Sequence, residues 1–160
     1  MKRLLCTLLA LIMLMTCAFA EGIVENPDAL AFQRGFEINS DAFTGTVYFT
    51  PMIQPDETYS FPATNNIIFA PGARSSWHTH GGMVILGTGD VGYYQAEGEP
   101  VQVLHPGDVA LCPPGVKHWH GGSTDTQFAH IAINTNPDKT GLEWFDCISE
   151  EEYARLSTER

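Results

Sequence analysis

Five of the six histidines in this 160-residue chain are spaced as a metal site would need. In a strand, side chains two residues apart share a face. His78 and His80, flanking Thr79, therefore aim two imidazoles the same way, and His118 and His120, flanking Trp119, do so from a second segment. His130 stands in the run Phe128–Asn134, where the same parity puts His130, Ala132 and Asn134 on one face. A lone histidine on a strand is ordinarily a structural residue with a hydrogen bond. Two His-x-His pairs facing one interior are different, because without a metal several neutral imidazoles would have to find partners in a small space, which costs stability. Imidazole is the ligand that zinc, copper, iron, nickel and manganese have in common. The spacing therefore predicts one divalent transition metal (manganese, iron, zinc, copper or nickel) and leaves its identity open.

Such a site needs strands to carry it, and the chain is rich in them. Thr46–Thr50, Asn66–Ala70, Met83–Leu86, Val91–Gln95, Val101–His105, Asp108–Cys112, Lys117–His120, Gln127–Asn134 and Leu142–Cys147 read as short strands, with many Val, Ile, Phe, Tyr and Trp residues. Three Pro-Gly pairs, at Pro71, Pro106 and Pro114, are turn signals. Proline presets the first central dihedral of a type II turn and glycine accepts the positive φ at the second. Short strands at this turn spacing predict an all-β sandwich or barrel. One helix is expected, over Glu150–Leu156, where Ser149 and Glu152 form a capping box. A second short helix is expected near Pro27–Gln33.

Two stretches carry a family resemblance. Gly72 to His80 resembles the first cupin motif: glycine, five residues, then His-x-His. Gly107 to His118 resembles the second: glycine, five residues, Pro-x-Gly, two residues, histidine. The resemblance spans about residues 66–134 and implies a double-stranded β-helix, the jelly-roll barrel of cupins, with His78, His80 and His118 as metal ligands. Trp77-His-Thr-His80, Pro113-Pro-Gly115, His118-Trp-His-Gly-Gly122 and Ala129-His-Ile-Ala-Ile133 are similar to a narrower group. It holds small single-domain cupins, including manganese-dependent hydroxynitrile lyases and domains found beside carboxymuconolactone decarboxylase-like domains. That likeness implies a cavity lined by His120 and His130, and two copies paired through their sheets, with residues 44–53 as the edge.

One position departs from the pattern. Cupins usually supply a fourth ligand, Glu or in this narrower group Gln, four residues after the second histidine. Here that count falls on Val84, and Gly81–Gly89 contains no carboxylate or amide. A loop one residue shorter would put Met83 in the ligand's place, as a thioether donor or as core packing. Neutral ligands leave the charge of a dication uncompensated, which favours metal-bound hydroxide or an anionic substrate. They also favour copper or zinc over manganese.

The implied chemistry acts on a small molecule: a lyase step at a C–C bond beside an oxygen, or oxygenation. His120 and His130 are the candidate proton-transfer groups, since imidazole is matched to that task near neutral pH. Beside those roles stand plainer ones, an extra ligand or supporting contact for His120 and a core histidine for His130. A non-catalytic module that binds metal or a small ligand is the alternative for the whole chain. By parity Trp77 and Trp119 point outward as packing, one of Tyr93 and Tyr94 faces the cavity, and Arg74 is expected in a surface ion pair. Asn134 fits either a substrate contact or a strand-end hydrogen bond.

The N-terminus reads as a targeting segment. Lys2 and Arg3 precede the apolar run Leu4–Cys17, and Ala18-Phe19-Ala20 places small residues where a signal peptidase reads. Residues 1–20 are thus expected to be a signal peptide of a secreted or periplasmic protein, leaving 21–160 as one cupin domain with no membrane attachment. Its loss removes two of the eight basic residues from a chain of net charge −11. So acidic a surface disfavours nucleic acid and anionic lipid as partners. Of the cysteines beyond residue 20, Cys112 and Cys147 are expected as free thiols, with a disulfide as the alternative in an oxidising compartment.

Overall fold

The computed structural model describes residues 30–58 and 60–156; the expected signal peptide lies outside them. Thirteen strands follow in order: β1 (Phe36–Glu37), β2 (Phe43–Thr44), β3 (Val47–Ile53), β4 (Thr64–Phe69), β5 (Arg74–Ser75), β6 (His78–Thr79) and β7 (Gly82–Asp90). Then come β8 (Gly92–Ala96), β9 (Gln102–Leu104), β10 (Val109–Cys112), β11 (His118–Gly122), β12 (Phe128–Thr135) and β13 (Glu143–Trp144), with helix α1 (Glu150–Arg155) last. One sheet has the order β1-β3-β4-β12-β7-β10. The other has the order β13-β6-β11-β5-β2, with β8 pairing β11 and β9. The two curl into the expected jelly roll.

Parity accounts for the core. Ala132 is opposite both Ile85 and Asn65, and Ile85 is opposite Ala110, so one inward row crosses four strands. Val47, Phe69, Ile85, Ala110 and Phe128 are at most 1% exposed and fill the barrel from this sheet, with Tyr94 and Leu104 from the other. All three glycines after proline adopt positive φ, at Gly72, Gly107 and Gly115, as the turn signals require.

Outside the barrel, α1 covers the far face of the second sheet. Its capping box forms as expected, with the Glu152 amide donating to Ser149 Oγ and the Ser149 amide to the Glu152 carboxylate. Tyr153 then packs with Trp119, Tyr93 and Ile148, so the outward-pointing Trp119 is fully buried. Arg74 departs from the surface role. Its side chain is 3% exposed, lies over the Tyr153 ring at 4.2 Å, and reaches the exposed Glu150 at 2.6 Å. With one partner in water the ion pair adds little, and the stacked, buried stem carries the effect. Arg74→Met is expected to cost about 1–2 kcal/mol, read as a lower urea midpoint; an unchanged midpoint would show that α1 docks without it.

Other expectations shift with tertiary context. Leu30–Gln33 is not helical; Thr50 and Asn66 donate to the Gln33 carbonyl, tying this stretch to the outside of the first sheet. The strand expected over 142–147 shrinks to β13, because only Glu143 and Trp144 find partners, on β6. Within residues 44–53, β1 covers β3 only at Tyr48 and Phe49, and Thr44 belongs to β2, the end strand of the second sheet. Cys112 and Cys147 are free, the first buried and the second exposed.

Candidate metal centre

The centre is built on one cross-strand pair. His78 of β6 lies directly opposite His118 of β11, and inward-facing opposed residues must touch. Their rings are 4.3 Å apart between centroids. His80 and His120 follow two residues on, on the same face. The His80 ring is 5.2 Å from that of His78 and 4.7 Å from that of His118. One ring nitrogen from each of His78, His118 and His120 lies within 4.8 Å of the others, so this group can hold a metal ion. His120 thus joins His78 and His118 in a group of converging nitrogens, with the His80 ring adjoining it.

Gly121 fixes how closely β11 approaches. A Cβ there would lie 2.6 Å from the Ala73 carbonyl oxygen and from Arg74 Cβ on the neighbouring strand. Gly121→Ala is expected to push β11 outward, cost about 2 kcal/mol and displace His120. Lowered thermal stability together with weakened metal retention would show both effects; wild-type values for both would refute the close contact.

Backbone carbonyls set the imidazole tautomers. His78 Nδ1 donates to the Ser76 carbonyl at 2.9 Å, His118 Nδ1 to Val116 at 2.8 Å, and His80 Nδ1 to Gly81. A carbonyl only accepts, so the proton is on Nδ1 and the Nε2 lone pair is free in the neutral ring. This is the arrangement that orients a metal-binding histidine. His118 Nε2 is buried with no partner among the described residues, a costly state unless something binds it. The three histidines therefore fit a divalent metal.

Burial keeps His78, His118, His120 and His130 neutral. It pushes His78 down to about 3, helped by the neighbouring His118 and His80 and opposed by the Ser76 bond. Burial likewise holds His118 at about 4 and His130 at about 3. His120 is well below the usual imidazole value, first from burial and then from His130.

A cavity of about 190 Å³ opens in front of the cluster, with His78, His80 and His120 on its wall. Phe43, Phe49, Phe69 and Trp144 make much of the rest. Among the described residues no carboxylate, lysine or arginine lines it. Met83 faces the cavity and is 5% exposed, whereas Val84, one residue on, points to the outside of the sheet. His130 lies one layer deeper than the sequence reading places it. It is absent from the cavity wall, stacked against Phe69 and Phe128 at 5.8 and 4.9 Å and edge-on to His120 at 5.2 Å. Both its nitrogens lack partners among the described residues.

Among the wall residues that sequence reasoning missed are Trp144, Phe43 and Asn65. Trp144 lies 4.7 Å from the His78 ring because β13 pairs with β6, a contact no local pattern announces. Phe43 comes from a two-residue strand. Asn65 had a signal, the alternation of Asn65, Ile67 and Phe69 along β4, masked by the polar Asn65-Asn66 pair.

Known proteins resemble this chain in sequence and fold. The cupin domain model matches residues 65–134. An (R)-mandelonitrile lyase of Granulicella tundricola is 39% identical over 117 residues, 72% of this chain and 88% of that protein. A cupin-like protein from Thermotoga maritima superposes with a TM-score of 0.74 at 38% identity, covering 81% of this chain and 98% of that one. A cupin-2 domain from Rhodospirillum rubrum shares the fold at a TM-score of 0.56 and 15% identity, over 78% of this chain and 80% of its own. With both histidine motifs on facing strands of a jelly roll, and a relative matched over nearly all its length, this chain belongs to the cupin family.

Proposed function

We propose that this cupin is a metal-dependent lyase that breaks a C–C bond beside an oxygen in a small uncharged substrate. The observation that carries this reading is the set of three histidines with Nδ1 engaged and Nε2 free, beside a largely apolar cavity. His78, His80 and His118 would hold one divalent transition metal, with the Met83 thioether alongside. When bound, such a metal polarises a substrate oxygen. The relative's name, mandelonitrile lyase, supports a cyanohydrin as the substrate type.

His120 supplies the proton transfer. Neutral because it is buried, it accepts the hydroxyl proton as the O–H electron pair becomes the second carbonyl bond. The C–C electron pair leaves with the carbon fragment, which takes up the proton. The aromatic wall excludes water, and His130, behind His120, is a positioning residue rather than a substrate contact.

The test is turnover of mandelonitrile, followed as benzaldehyde, by protein reconstituted with each metal in turn. Turnover is expected, with His120→Ala lowering it about 10²–10⁴-fold when rates are expressed per bound metal. Oxygen uptake with the same substrates would point instead to oxygenase chemistry at this centre. The lack of a carboxylate donor in Gly81–Gly89 favours a second reading, a metal- or ligand-binding module without turnover; inertness of wild type and variant alike would select it. The basic and apolar head of the chain supports export with cleavage after Ala20, leaving 21–160 as one domain. The N-terminal mass of the purified protein tests that.

A further inference from the structure

Two amides on the cavity wall have no part in the chemistry above. Asn65 of β4 is opposite Ala132 of β12, and Asn134 follows Ala132 by two residues on the same inward face. The two asparagines are therefore diagonal neighbours across the ladder, within reach of one bound group. Asn134 is also opposite Met83, so an amide stands across the ladder from the segment that lacks one. Both line the cavity that His78, His80 and His120 face.

Neither amide is spent on the protein. Asn134 donates its backbone N–H to the Ala63 carbonyl, but no side-chain hydrogen bond among the described residues engages Asn65 or Asn134. Asn66, pointing the other way, uses its amide on the Gln33 carbonyl. An asparagine offers one carbonyl acceptor and two N–H donors. Two of them on an apolar wall with no charged side chain mark where a polar, uncharged group belongs. The cavity volume of about 190 Å³ exceeds the ~150 Å³ that lodges benzene in a protein core, which leaves room for a ring and a small head group.

We propose that Asn65 and Asn134 form a polar clamp that orients an uncharged head group bearing both a hydrogen-bond donor and an acceptor, such as a hydroxyl beside a nitrile. The clamp sets substrate specificity, and its relevance to turnover rests on the lyase reading. A ligand lacking the polar group leaves both amides unpaired in the cavity, which lowers its affinity.

The test compares benzyl alcohol with toluene, matched in shape and differing by the hydroxyl, by calorimetric titration of metal-loaded and metal-free protein. Wild type is expected to prefer benzyl alcohol about tenfold. The double variant Asn65→Leu/Asn134→Leu is expected to bring that ratio near one while still binding toluene. Should it not fold, Asn65→Val and Asn134→Val singly are each expected to lower the ratio about threefold. A ratio unchanged in the variants overturns the clamp. A ratio that vanishes when metal is removed from wild type also overturns it and leaves the metal reading intact. A preference retained by a protein that binds no metal supports the clamp and removes the lyase reading.

Discussion

His118→Ala is expected to lose divalent metal at least 100-fold in affinity relative to wild type, with His78→Ala close behind. Disturbing only the partners that orient metal-bound histidines typically costs 10–100-fold, so removing a ligand costs more. His118 has the strongest claim, because its Nε2 is buried without a partner among the described residues and its Nδ1 proton is fixed by the Val116 carbonyl. His105→Ala is the control: its side chain is 61% exposed, beside Asp108 on a turn. Elemental analysis and chelator competition read the result. Wild-type metal content in His118→Ala would remove the centre. Metal identity carries a second expectation. Among the described residues no carboxylate lines the cavity, so the ligands are neutral, and copper or zinc should be held in preference to manganese. Manganese alone in every preparation would show that charge compensation comes from elsewhere.

How much of this was legible in the sequence follows from the range of each interaction. The His-x-His pairs and the Pro-Gly turns are local, and local parity placed His78, His80, His118 and His120 on one interior face as found. The capping box at Ser149 is equally local. Depth within the barrel is not. His130 has the parity of a cavity residue, yet Phe69 and Phe128 close over it from β4 and β12. Parity tells inside from outside and says nothing of which inward layer a residue occupies. Arg74 shows the converse: its polarity suggests the surface, and only the docking of α1, whose Tyr153 comes from a distant part of the chain, buries it. Trp144 enters the site through the pairing of β13 with β6, and Asn134 gains meaning only beside Asn65. The histidine spacing thus locates the metal chemistry, while the walls that choose the substrate are assembled by long-range pairing.

Metal-free protein is expected to lose stability steeply between pH 7 and pH 5, and His130 isolates the cause. Burial holds His130 at about 3 in the folded state, against about 6.5 in an unfolded chain. Below pH 6.5 the unfolded chain therefore binds a proton that the folded core refuses. The state that binds more protons gains as pH falls, so stability declines from about pH 6.5 down towards the folded value. For one such group the loss between pH 7 and pH 5 is about 2 kcal/mol. His78 and His118, also lowered by burial, add to the loss in the same direction, against a whole-domain stability of about 5–15 kcal/mol. His130→Leu, close in volume, removes one titrating group and two unpartnered nitrogens. It should keep about 2 kcal/mol more of its neutral-pH stability at pH 5 than wild type does. Urea midpoints of both metal-free proteins across this range provide the measurement. Parallel curves would mean that His130 protonates as readily folded as unfolded, and so that water reaches it past Phe69 and Phe128.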